Sequence, residues 1–174
     1  MPGKLARSPG LFLAGFMGSG KSTVGRILAD ELGWTFVDLD QVIEQEQGAS
    51  ITQIFAERGE EAFRQIEHEA LREQSRATER GSPRVVAMGG GAYAQERNRT
   101  LLEPMGTVVW LDAPVEVLRA RVAHETNRPL ARDAAKFAEL YEARRAQYTM
   151  ADFRVDAVDE PHAVAARILE MPLW

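Results

Sequence analysis

A glycine-rich stretch near the N-terminus leaves this chain few folds to choose from. Gly15-Phe16-Met17-Gly18-Ser19-Gly20-Lys21-Ser22 fits the pattern G-x-x-x-x-G-K-[ST]. Before it, Leu11-Phe12-Leu13-Ala14 reads as a buried strand; after it, Val24, Ile27, Leu28 and Leu32 fall on one helical face. Strand, glycine loop and helix in that order is the setting in which such a loop cradles phosphate. Gly15, Gly18 and Gly20 let backbone N–H groups converge on phosphate oxygens, and the helix beginning near Lys21 turns its positive end to the same place. Lys21 supplies a point charge for the β- and γ-phosphates, and the Ser22 hydroxyl is a ligand for Mg²⁺. Ser19 and Thr23 belong to the same nucleotide-binding stretch. The expected ligands are therefore a nucleotide bearing β- and γ-phosphates, and Mg²⁺.

At 174 residues the chain has the size of one domain. It has no cysteine, which removes disulfides, thiolate metal sites and a cysteine nucleophile from consideration. A net charge of −5 argues against a nucleic-acid surface, so a charged substrate has to be met by local arginines. No segment has the length of a membrane span or the apolar core of a signal peptide. The expectation is a cytoplasmic monomer acting on a small molecule, with no nucleic acid and no membrane.

Along the chain, Trp34-Thr35-Phe36-Val37 reads as a second strand running into Asp38-Leu39-Asp40. Alternation in an extended segment puts Asp38 and Asp40 on one side, where one could support Mg²⁺ through water and the other meet a substrate hydroxyl; equally, the pair could cap the helix beginning near Gln41. A short helix follows from Ser50. A long one opens at Glu60, with Phe63, Ile66, Ala70 and Leu71 on its buried side. Arg64 lies beside that stripe, either as an anion clamp or as an exposed partner of Glu60, the commoner role for such a residue.

The third strand, Arg84 to Met88, ends in Gly89-Gly90-Gly91, which reads as a close approach to the backbone in preference to a flexible turn. A helix from about 95 to 103, a strand from 107 to 111 and a helix from 115 to 122 come next. The segment 123–133, with His124, Thr126, Asn127, Arg128 and Arg132, has little hydrophobic periodicity and suits a mobile lid over a phosphate donor. His124 reads as a solvated loop residue. A helix from 134 to 150, a strand from 153 to 156 and a helix from Pro161 close the chain. The alternation predicts an α/β fold with a mainly parallel sheet covered on both faces.

With Gly15 to Ser22, Asp38-Leu39-Asp40, Phe63-Arg64-Gln65-Ile66-Glu67, Gly89-Gly90-Gly91, Arg128-Pro129-Leu130 and Arg144 four residues before Tyr148, the chain resembles the shikimate kinases over nearly its whole length. The resemblance implies a P-loop three-layer α/β/α fold with five parallel strands in the order 2-3-1-4-5, a shikimate-binding region at about 38–71 and a lid at about 123–133. It implies transfer of the γ-phosphoryl of ATP to the 3-hydroxyl of shikimate, in aromatic amino-acid biosynthesis. Carried over, Asp40 binds the acceptor hydroxyl and takes its proton, and Arg64 and Arg144 clamp the carboxylate. Gly90, flanked by Gly89 and Gly91, offers a backbone amide to the substrate. Asp38 joins Ser22 at Mg²⁺, Arg128 reaches the phosphates, Arg121 lies near adenine, and a loop around Pro161 covers its other face. Forked guanidinium groups suit a carboxylate, in agreement with these roles.

The chain departs from the family pattern at Ala131, where a second leucine is common, and at Ala146, where proline is common. Asp159, beside Glu160, stands where a basic or neutral residue often meets the nucleotide. A gluconate-type sugar-acid kinase and a non-catalytic nucleotide-binding module are the alternatives.

Overall fold

The structure, a computed structural model, describes residues 10–124 and 133–173. Five strands, β1 (Gly10–Ala14), β2 (Thr35–Asp38), β3 (Arg84–Ala87), β4 (Thr107–Asp112) and β5 (Phe153–Asp156), form one sheet in the order β2-β3-β1-β4-β5. Every pairing is parallel. Eight helices among the described residues connect them: α1 (Lys21–Leu32), α2 (Leu39–Gln47), α3 (Ile51–Arg58), α4 (Glu60–Glu79), α5 (Glu96–Leu102), α6 (Val115–Val122), α7 (Ala134–Tyr148) and α8 (Pro161–Leu169).

Strand alternation divides the core into two layers. Leu11, Leu13, Val85, Val109, Leu111 and Val155 pack on one side with Val24 and Leu28 of α1 and Val164 and Ile168 of α8. Phe12, Ala14, Val86, Val108 and Trp110 pack on the other with Ile43, Phe63, Leu71, Phe137 and Tyr148. Both faces of the sheet are thus covered, as the run of apolar residues in β1 and β4 requires of a parallel sheet. No described helix is long and apolar enough to cross a membrane.

Register brings the chemistry together. Leu13 pairs with Ala87, and Ala87 with Asp38. Two residues beyond this row the chain reaches Gly15, Gly89 and Asp40 on three adjacent strands' exits, at the carboxyl edge where open α/β sheets hold ligands.

Element types follow the sequence reading, with shifts at the ends. Trp34 lies outside β2, and α4 runs on to Glu79. The one difference of consequence is at 38–40, where the strand stops at Asp38 and Leu39 already begins α2. Leu39 is fully buried, and the Asp38 carboxylate accepts from the Gln41 N–H, so the helix starts a residue or two before the sequence reading places it.

Candidate functional site

The loop after β1 turns through Gly18 (φ 85°) and Gly20 (φ 93°), left-handed conformations that a side chain would strain. A Cβ on Gly18 would also stand 2.8 Å from the Leu118 carbonyl oxygen. The Lys21 ammonium donates to the carbonyl oxygens of Gly15 (2.6 Å) and Phe16 (3.1 Å) and reaches the buried Ser19 hydroxyl at 3.5 Å. Its charge is held inside the curl of the loop, at the N-terminus of α1, where a phosphate finds N–H groups, helix dipole and cation together. Behind the loop, the ring of Phe16 packs edge-on against Phe137 and Tyr141 of α7, and the Arg144 guanidinium lies over it at 5.8 Å.

The Ser22 hydroxyl donates to the second carboxylate oxygen of Asp38 at 2.7 Å. Asp38 therefore caps α2 with one oxygen, as one of the two sequence readings has it, and turns the other to the phosphate loop. Asp40, one residue into α2, points across to β3: its Oδ1 lies 2.7 Å from where a Cβ on Gly89 would stand.

The other glycines of the triplet have the same explanation. None of Gly89, Gly90 and Gly91 has a positive φ, so space and not backbone freedom excludes a side chain. A Cβ on Gly90 would stand 3.2 Å from the Arg144 guanidinium, and one on Gly91 only 2.5 Å from that of Arg64. Each glycine makes room for one site residue: Asp40, Arg144 and Arg64 in turn.

Arg64 is not the exposed partner of Glu60. Its side chain is buried, pairs with Glu67 at 2.9 Å and keeps Glu60 at only 3.7 Å. The rings of Phe63 and Phe55 lie 5.3 and 5.9 Å from its guanidinium. Its buried Nε has no hydrogen-bond partner among the described residues. Burial pushes the Glu67 carboxyl above the usual range, against the opposing pull of Arg64. For Arg144, burial lowers the guanidinium pKa, and the like charge of Arg64 adds to the effect. A buried Arg64 guanidinium paired to the buried Glu67 carboxylate, with the half-buried Arg144 guanidinium near enough to act on both, forms a site that an anion would stabilise. Glu67 is the residue that sequence reasoning gave no role; its spacing of three from Arg64 on a helix is the signal.

A cavity of about 1000 Å³ joins these parts; its lining includes Met17, Gly18 and Gly20 of the loop, the first turn of α1, Asp38, Asp40, Gly89, Gly90, Arg121 and Arg144. Arg64 stands behind it, against Gly91. A second cavity, of about 440 Å³, shares Gly18, Gly20, Thr23 and Arg121 and is otherwise lined by Ser19, Val24, residues 157–161 and Val164. Arg121 ties the two together, donating to the Gly18 oxygen (3.1 Å) and to those of Ala157 (2.7 Å) and Val158 (3.0 Å). Pro161, at the first turn of α8, closes that second cavity. Asp159 pairs with Arg167, so its charge is partly answered within the chain. Arg128 and most of the 123–133 lid segment lie outside the described residues.

Ser22 and Asp38 offer hard oxygen donors side by side, which suits Mg²⁺: that ion takes few protein ligands and keeps several waters. A lysine-bearing phosphate loop, one carboxylate beyond it and an anion clamp at the far end can do one thing well. They can hold a phosphoryl donor and a small anion in one cleft.

Set beside known proteins, residues 17–172 match the family model described as shikimate kinase. The shikimate kinase of Synechococcus elongatus is 43% identical over 166 residues, spanning 92% of this chain and 85% of that protein. The structure of shikimate kinase from Acinetobacter baumannii in complex with shikimate superimposes with a TM-score of 0.87 at 36% identity, over 95% of this chain and 93% of that one. A gluconokinase from Sinorhizobium meliloti superimposes with a TM-score of 0.57 at 20% identity, a likeness of fold alone.

Proposed function

The chain belongs to the shikimate kinase family, and we propose on that premise how its cleft transfers the γ-phosphoryl of ATP to the 3-hydroxyl of shikimate. The observation that carries the reading is the matched set at the end of β3, where three successive glycines clear the space occupied by Asp40, Arg144 and Arg64. Shikimate is a small carboxylate bearing hydroxyls. A clamp for its carboxylate and a separate carboxylate for its reacting hydroxyl, both next to a phosphate loop, match its two ends.

In this reading Arg64 and Arg144, with the Gly90 amide, hold the substrate carboxylate, and Glu67 holds Arg64 in place. Asp40 accepts a hydrogen bond from the 3-hydroxyl and takes its proton as the oxygen attacks the γ-phosphorus. Lys21 and the N–H groups between Gly15 and Thr23 hold the transferring phosphoryl. Mg²⁺ bound beside Ser22 and Asp38 would neutralise phosphate charge. Arg121, Pro161 and the loop at 157–160 bound the site for adenine. Arg128 is assigned on the sequence alone, to the phosphates. Catalysis here is mainly positioning and charge neutralisation, because a loose phosphoryl-transfer transition state asks for little else.

The test is ADP release from Mg²⁺ and ATP with shikimate, with gluconate and without acceptor. Release confined to shikimate, and lost in Arg64→Ala and Arg144→Ala through KM for shikimate, is the expected result. Equal release with gluconate would overturn the acceptor assignment.

A further inference from the structure

Tyr148 ends α7 as one of the largest fully buried side chains of the described residues. It stands one helical turn beyond Arg144, so both side chains leave the same face of α7. Its hydroxyl donates to the carbonyl oxygen of Gly90. The Trp110 ring lies against it with 6.0 Å between centroids, which fixes the ring and so the hydroxyl. Burial pushes the phenol pKa far up, so the group remains a donor throughout the working pH range, and Arg144 acts on it more strongly than any other charge.

The oxygen that Tyr148 holds belongs to the peptide joining Gly90 to Gly91. In a trans peptide the C=O and N–H point in opposite directions. Holding that oxygen toward α7 therefore aims the Gly91 N–H away from α7. Gly90 is also the residue whose missing side chain leaves room for Arg144. From this arrangement we infer that Tyr148 is a positioning residue for the anion clamp: its hydroxyl fixes the glycine-loop peptide and the place of Arg144 relative to one another. An anion then meets the Arg144 guanidinium at a set place beside the glycine loop. The inference rests on the clamp reading given above.

Tyr148→Phe keeps the ring and its packing and removes the hydroxyl. The expected result is a rise of roughly tenfold in KM for shikimate, with kcat and KM for ATP within about twofold of the unmutated enzyme. Tyr141→Phe is the comparison, since that hydroxyl, on the same helix, donates to the Ala113 oxygen at 3.2 Å and reaches the Asp112 carboxylate at 3.5 Å, at the end of β4 and not at the glycine triplet after β3; its KM for shikimate should stay unchanged. In the double variant with Arg144→Ala, Tyr148→Phe should add little, because the hydroxyl acts on the clamp through the placing of that arginine. The unmutated protein gives a reading independent of how Tyr148→Phe folds. It has three tyrosines, and shikimate added without nucleotide should shift the labelled ring signals of Tyr148 more than those of Tyr93 or Tyr141. An unchanged KM for shikimate in Tyr148→Phe, equal rises in both KM values, full additivity with Arg144→Ala, or no shift of the Tyr148 signals would each overturn the inference. If Arg144→Ala raises KM for shikimate and Tyr148→Phe does not, this inference alone fails. If Arg144→Ala has no effect either, the clamp reading fails and this inference goes with it.

Discussion

Gly91→Ala is the sharpest probe of the clamp, because one methyl group is aimed at one guanidinium. The new Cβ would stand 2.5 and 2.6 Å from the two terminal nitrogens of Arg64 and 2.8 Å from the carbon between them, where ordinary contact begins at 3.4 Å. One partner has to give by most of an ångström. Gly91 has no positive φ, so alanine brings no backbone strain of its own. The arginine is the far end of a long side chain, and it can retreat more cheaply than a strand exit can. Its retreat, however, runs into Glu67 at 2.9 Å and the rings of Phe55 and Phe63. Overpacking of this kind costs about 1–3 kcal/mol when it is absorbed by the fold. A charge-assisted hydrogen bond lost from the bound anion is worth about 1.5–3 kcal/mol, or roughly 10- to 150-fold in affinity. We predict that the second effect dominates: KM for shikimate rises by at least tenfold, KM for ATP stays within about twofold, and the protein remains folded. Steady-state ADP release with each substrate varied in turn, alongside a thermal melt, reads all three. A folded Gly91→Ala enzyme with unchanged KM for shikimate would refute the placement of Arg64 in the clamp.

Other perturbations separate the remaining parts. Asp40→Asn should reduce kcat by roughly 10²- to 10⁴-fold while nucleotide binding survives, since the site loses its proton acceptor; near-normal kcat with bound nucleotide measured by titration would remove Asp40 from that role. Gly18→Ala meets a backbone carbonyl at 2.8 Å and a positive φ, so, unlike Gly91→Ala, it should lower the melting temperature and weaken ATP binding together. Glu67 carries a pH signature. Its folded pKa is raised by burial, so the folded state holds that proton more tightly than the unfolded chain does, and stability falls as pH rises from the usual carboxylate range through the raised value. Glu67→Gln should lose that slope in denaturant titrations run across mildly acidic pH, and it should raise KM for shikimate by freeing Arg64. An identical pH slope in the variant would show that another group titrates there.

What the sequence disclosed depended on whether a residue's role shows in its own neighbourhood along the chain. Strand, loop and helix around Lys21 are local, and so is the Pro at the start of α8; both were legible from composition and spacing. The sheet order is not local, and it came from the likeness to a family, not from periodicity. Asp38 and Asp40 were found for a reason that the structure replaces. They face one cleft not by alternating along a strand but because Asp38 caps α2 and Asp40 lies in its first turn. Arg64 shows the opposite failure. An arginine four residues after a glutamate on a helix is usually a solvated partner, and only burial by Phe55, Phe63 and the glycine triplet makes it otherwise.

Glu67 and Tyr148 stood in the sequence motifs without a role of their own, for one shared physical cause: each faces a residue brought to it by the fold. A buried glutamate is costly unless paired, yet the pair is visible only once α4 is known to turn that face inward. A tyrosine at the end of an amphipathic helix looks like packing, and its ring is packing, against Trp110. The hydroxyl is a separate matter, because it reaches a carbonyl oxygen 58 positions earlier in the chain. The triple glycine was the one sign in the sequence that side chains must crowd there. Its three positions, taken one by one, name the side chains that do the crowding: Asp40, Arg144 and Arg64. The same crowding predicts that alanine at successive positions should fail in different ways. At Gly89 it presses on Asp40 at 2.7 Å and should lower kcat; at Gly91 it presses on Arg64 and should raise KM for shikimate. At Gly90 the 3.2 Å contact with Arg144 asks for a shift of only a few tenths of an ångström and should have the mildest effect of the three. Three variants with the same kinetic defect would mean that the triplet serves as one flexible turn, and that the assignment of one glycine to each side chain is wrong.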